Sequence, residues 1–212
     1  FCECEKCQVM DLPKETCASF SNSHKYRRSL ASRASAISIT KSQLIVINRV
    51  ADLVAKTNPE LLIETLAYGQ NYNPSRHLAP RKNVLAGFAM FDKLLSSRHA
   101  LLPTNHPANQ PIPEYIRGWR KQSRHFYVYE YYALYHNFTP LLDVMRRDFR
   151  WYQAAGVSGI SSETGMWNEL QMYAFAKLAW NCNYSADEVL RHYCARAYGP
   201  VADMMFQHWD LM

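Results

Sequence analysis

Four stretches of the chain are apolar over successive residues, and most lead into a run with helical spacing. The first, Leu61-Leu-Ile-Glu-Thr-Leu-Ala-Tyr68, follows Pro59 and precedes the turn-rich Gly69-Gln-Asn-Tyr-Asn-Pro74. Asn83-Val-Leu-Ala-Gly-Phe-Ala-Met90, His125-Phe-Tyr-Val-Tyr-Glu-Tyr-Tyr132 and Gly156 to Ser162 have the same character. Short runs of this kind, partly β-branched and aromatic, suit strands buried on both faces. Helices are predicted between them. Residues 40 to 57 place Leu44, Ile47, Val50 and Val54 at helical spacing behind Thr40 or Ser42 as a cap. Residues 112 to 122 show a weaker pattern. Residues 139 to 154 open at Thr139-Pro140 and continue with Leu142, Met145, Phe149 and Tyr152. Three further helical runs, 166 to 180, 186 to 198 and 200 to 212, follow with no strand between them. Ser185 and Glu188 form a capping box for the middle one. Met172, Phe175, Leu178 and Ala179 have core spacing, and Trp180 and Tyr198 are expected to pack inward. Residues 18 to 39 and 96 to 111 read as loops.

Strand alternating with helix implies an α/β fold with a parallel sheet, and four such units are half of an eightfold β/α barrel. The predicted organisation is a partial TIM-like barrel over residues 1–165 and a helical segment over 166–212 that packs on it. Active sites of such barrels sit at the C-terminal ends of the strands, where this chain carries acids.

Glu163 closes GVSGISSETG, and Val157, Gly159, Ser161 and Glu163 share one face of an extended strand. Glu130 ends the preceding strand in the same way. Tyr129, Tyr131, Tyr132 and Trp167 surround the two acids in sequence. Paired carboxyl groups bordered by flat aromatic faces suit glycoside hydrolysis, which donates one proton while positive charge grows on a sugar ring. Against this stands the plainer reading that each acid is solvated or paired with an Arg. Tyr68, at the end of the first strand, is a candidate sugar contact or a packed core tyrosine. His99, in the loop after the second strand, can reach a substrate hydroxyl or simply face solvent. Trp119 is expected to pack, and Glu64, mid-strand, to pair with an Arg or Lys.

Composition narrows the alternatives. The chain has 212 residues, 48% hydrophobic and 20% charged, enough for a sizeable core. Its net charge is +6, but the basic groups are short and separate, which argues against a nucleic-acid surface. No apolar run reaches the roughly 18 residues of a membrane span. Cys2, Cys4, Cys7 and Cys17 crowd one end, and Cys182 and Cys194 lie near the other. The spacing C-x-C-x2-C is not the paired C-x2-C of a zinc ribbon, so structural or incidental thiols are the better reading. The chain opens on FCECEKC without Met and without a visible secretory signal, so an upstream part is expected.

Several segments, taken in order, carry a resemblance. They are FCECEKC, SQLIVINRVADLVAKTNPELLIETLAYGQNYNPS, SSRHALLPTN, GWRKQSRHFYVYEYY, AAGVSGISSETG and ELQMYAFAKLAWNCNYSADEVLRHYCARAYGPVADMM. The chain resembles bacterial glycoside hydrolases of the group once catalogued as domain of unknown function 4838. The barrel of that group is similar to that of α-glucuronidases, and the group includes endo-β-N-acetylglucosaminidases of glycoside hydrolase family 163. The resemblance implies the C-terminal half of a (β/α)8 barrel followed by C-terminal helices. It implies a glycan substrate, including glycans that contain N-acetylglucosamine, and a secreted or periplasmic location. No cofactor, catalytic metal, nucleic acid or membrane is implied, and the oligomeric state is left open. Glu163 and Glu130 are the catalytic candidates; Tyr68, His99, Tyr129, Tyr131, Tyr132 and Trp167 are the substrate-binding ones. Where the group usually has Trp before an acid, this chain has Tyr129 before Glu130, a smaller stacking face. A non-catalytic carbohydrate-binding remnant is the alternative.

Overall fold

A computed structural model describes residues 40–94, 102–132, 141–163 and 169–210. Its elements, in chain order, are α1 (Thr40–Val54), β1 (Ile63–Ala67), β2 (Val84–Ala89), α2 (Phe91–Leu94), α3 (Ile112–Gln122) and β3 (His125–Glu130). There follow α4 (Leu142–Ala154), β4 (Gly159–Ser162), α5 (Glu169–Trp180), α6 (Ala186–Tyr198) and α7 (Ala202–Asp210). The four strands form one parallel sheet in chain order, β1-β2-β3-β4. In the first pair Ile63 stands opposite Val84 and Ala67 opposite Phe88. The chain divides into two compact units. One runs to Ala89 and takes in Tyr115–Tyr127; the other comprises Met90–Glu114 and the chain from Val128 onward.

In the first unit α1 buries Leu44, Asn48 and Ala51. The sequence stripe therefore needs correction, because Val50 is exposed and Asn48 lies inside. Asn48 is there for its amide, which donates to the Ala79 carbonyl and accepts from the Arg81 amide, each at 2.9 Å. These bonds pair the buried Asn48 amide and tie the β1–β2 connection to α1. Trp119 of α3 packs as expected, fully buried, and its indole N–H donates to the Tyr72 carbonyl at 2.8 Å.

In the second unit α4, α5 and α6 pack together. Their shared core contains Met145, Phe149, Ala174, Leu178, Val189 and Cys194. Phe149 meets Phe175 edge-on at 5.4 Å. The capping box at α6 is present, with Ser185 and Glu188 each bonding the other's amide. The core stripe of α5 is Leu170, Gln171, Ala174 and Leu178; Met172 and Ala179 are exposed and Phe175 is half-buried. The expected inward packing of Trp180 is overturned, since the residue is 91% exposed at the end of α5. Tyr198 is half-buried against Tyr193. Cys182 and Cys194 are both buried free thiols.

Candidate functional site

The strand HFYVYE alternates in burial. Phe126, Val128 and Glu130 are buried, while His125, Tyr127 and Tyr129 are half-buried. Side chains of an extended strand alternate between faces, so Glu130 leaves β3 on the face opposite to Tyr129.

On the Glu130 face lies a closed network within the second unit. Lys93 of α2, Asp148 of α4 and Glu130 are each 3% exposed or less. The Lys93 ammonium donates to Asp148 Oδ2 at 2.5 Å and lies 3.9 Å from Glu130 Oε1. Asp148 also accepts from the Thr104 amide and the Tyr132 hydroxyl, both at 2.5 Å. The Tyr152 hydroxyl donates to Glu130 and meets Thr104 Oγ1 at 2.8 Å. Tyr132 stands 3.1 Å from the same Glu130 oxygen. Charges taken out of water are tolerated when they are paired and hydrogen-bonded, and here one ammonium serves two carboxyl groups.

The titration directions follow. Burial works against the charge on Lys93, but Asp148 and Glu130 outweigh it and raise its pKa. Burial raises the Glu130 pKa; Lys93 opposes this and Asp148 reinforces it. Burial first, then the neighbouring carboxylates, push the Tyr132 and Tyr152 phenols well above their ordinary range.

On the other face of β3, Tyr129 lies beside Glu163, just past the end of β4. The Tyr129 pKa is raised by partial burial and then by the adjacent Glu163 charge. Glu163 is half-buried, and its amide donates to the Glu130 carbonyl at 3.2 Å. The Tyr131 ring lies 5.3 Å from Tyr129 and 5.7 Å from Phe91.

The predicted residues therefore separate. Tyr129 and Glu163 come together at a partly exposed position. The expected pairing of Glu130 with Glu163 on one face is corrected, because strand parity sends Glu130 into the buried network. Tyr132 belongs to that network too, and Tyr131 is buried, so neither presents an open face for stacking. His99, Trp167 and the four N-terminal cysteines lie outside the described residues.

In the first unit Tyr68 is 43% exposed. Glu64 is also exposed, and its partner is the Tyr127 hydroxyl rather than a cation. Lys93, Asp148 and Thr104 escaped the sequence reading, and Tyr152 was read only as part of a helix's apolar stripe. One signal was available: Asp148 falls in the apolar stripe of Met145, Phe149 and Tyr152, where a solvated acid has no place.

Among the described residues no cluster of three His, Cys, Asp or Glu residues is arranged to hold a metal ion, and no helix is long and apolar enough to cross a membrane. The fold and the Tyr129–Glu163 pair define an α/β protein with a carboxylate at the C-terminal end of a parallel strand. A family model described as a domain of unknown function, DUF4838, matches residues 1–209, and the chain belongs to that family. No curated protein and no solved structure matches it.

Proposed function

We propose that this chain is part of a glycoside hydrolase, that its sheet is half of an eight-stranded β/α barrel, and that Glu163 is the carboxylate that meets the sugar. The observation that carries the reading is the half-buried Glu163 beside Tyr129, its amide bonded to the Glu130 carbonyl, at the C-terminal ends of neighbouring parallel strands. Barrel enzymes place their reacting groups at those ends. A carboxylate at that place can stabilise positive charge growing on a sugar ring.

Glu130 is not the second acid of this mechanism, because it faces the buried network. A substrate bearing an N-acetyl group removes the need for a protein nucleophile: its own carbonyl oxygen bonds the anomeric carbon as the bond to the leaving oxygen breaks, that oxygen takes a proton from water, Glu163 orients the amide, and a second water then opens the cyclic intermediate. The substrate class is accordingly a glycan containing N-acetylglucosamine.

The orientation of Glu130 is also the specific support for a second reading, glycan binding without hydrolysis, since it leaves one carboxylate where two are usual. Incubating the full-length protein with a chromogenic N-acetyl-β-glucosaminide separates the two. Release that disappears in Glu163→Gln supports hydrolysis. Saturable binding without release supports the second reading, and neither binding nor release overturns both.

A further inference from the structure

A cavity of about 270 Å³ opens at the start of β4, the end of that strand away from Glu163. It is formed by the C-terminal end of α4, residues 157–160, the end of α5 and the turn after it, all in the second unit. Its size falls just below the range of drug-sized ligand pockets, roughly 300 Å³ and upward, which suits one small ligand unit. None of its lining residues is Asp, Glu, Lys, Arg or His. The lining itself carries no charged side chain, and the Arg150 guanidinium at its border already faces the Asn183 amide oxygen, so the chemistry favours a neutral ligand.

Three exposed amides border it, and the protein fixes how each is turned. Asn181 Oδ1 accepts from the Asn183 backbone N–H at 3.0 Å. Asn183 Oδ1 accepts from the Arg150 guanidinium at 3.5 Å, and Gln153 Oε1 from the Cys182 thiol at 3.3 Å. A donor partner requires the amide oxygen, so each NH2 group is turned elsewhere, and no described residue engages it. The site thus offers several hydrogen-bond donors to something rich in acceptors.

Trp180 supplies the remaining part. It lines the cavity and is 91% exposed. An indole left this open forgoes the burial that a tryptophan normally obtains. Its face carries the negative side of the ring quadrupole, which attracts the weakly positive C–H face of a pyranose. Neutral lining, unengaged amide donors and an open aromatic face match an uncharged sugar whose hydroxyl and acetamido oxygens accept hydrogen bonds.

We propose that this cavity is a binding site for a neutral saccharide, with Trp180 as the stacking face and Asn181, Asn183 and Gln153 as donors. It stands apart from the Glu163 site and does not depend on hydrolysis there.

The test is a titration of the 15N-labelled full chain with tri-N-acetylchitotriose, read at the Trp180 indole resonance, which is assigned by its loss in Trp180→Phe. That local readout separates this site from any binding at Glu163. The expected result is a saturable shift of the indole resonance. Overall affinity read by calorimetry in an Glu163→Gln background should fall at least tenfold in Trp180→Ala and severalfold in Asn181→Asp. The latter keeps the oxygen that receives Asn183 and removes the donor. Glucuronic acid, which carries a charge, should shift the resonance far less. A Trp180 resonance unmoved by the neutral sugar overturns the proposal. So does one that moves only with protein concentration, which would assign the ring to a protein contact.

Discussion

The Glu163 amide donates to the Glu130 carbonyl at 3.2 Å, which joins the ends of β3 and β4 where the two acids stand. Their side chains nevertheless part. Glu163 meets Tyr129 on one face, and Glu130 enters the network of Lys93, Asp148 and Tyr152 on the other. One acid is therefore half-buried at the strand end, and the other is enclosed in the second unit.

Removing the cation should be costly. Lys93→Met leaves Asp148 and Glu130 buried with no counter-charge, and breaking a buried pair from one side costs about 3–5 kcal/mol. Urea denaturation should show a loss of that order. Adding Glu130→Gln should restore part of it, because one of the uncompensated acids is then neutral. Strict additivity of the two substitutions would contradict the coupling.

Stability should depend on pH through Glu130. Burial raises its native pKa above the ordinary value of 4.5, so between those two values the native state holds a proton that the unfolded chain has lost. The contribution is fully present below the unfolded value and declines as pH rises through the native one. Subtracting the stability curve of Glu130→Gln from that of the wild type should isolate this decline. A difference that grows with pH would contradict it.

Gly87 is required by close approach. A Cβ there would stand 2.4 Å from Tyr127 Cζ, inside any tolerable contact. Gly87→Ala must displace the Tyr127 ring and so weaken its bond to Glu64. Overpacking of this kind costs about 1–3 kcal/mol, measurable as a lowered Tm. Gly87→Ala in a Tyr127→Leu background should cost distinctly less.

The element order was legible in the chain because apolar runs and helical spacing are local. The ends of β3 and α4 illustrate what was not. HFYVYEYY is apolar or aromatic on both faces, so parity alone does not say which face the helices cover. That is decided by α4, whose Asp148 and Tyr152 reach Glu130 and its partners from 18 or more residues further along. The same limit applies to Trp180: helical spacing gives it a direction, while its exposure depends on where α5 ends against its neighbours. The Tyr129–Glu163 pair was half visible, since Glu163 was evident as a strand-end acid but its partner among three adjacent tyrosines was not.

The central claim is that Glu163, and not Glu130, is the reacting carboxylate. Turnover of a chromogenic N-acetyl-β-glucosaminide by the full-length protein tests it directly, with Glu163→Gln compared with the wild type. The account predicts a loss of about 10²- to 10⁴-fold, the range that a positioned acid or base contributes, with an unchanged circular dichroism spectrum. Wild-type turnover that survives Glu163→Gln near its normal rate would contradict it.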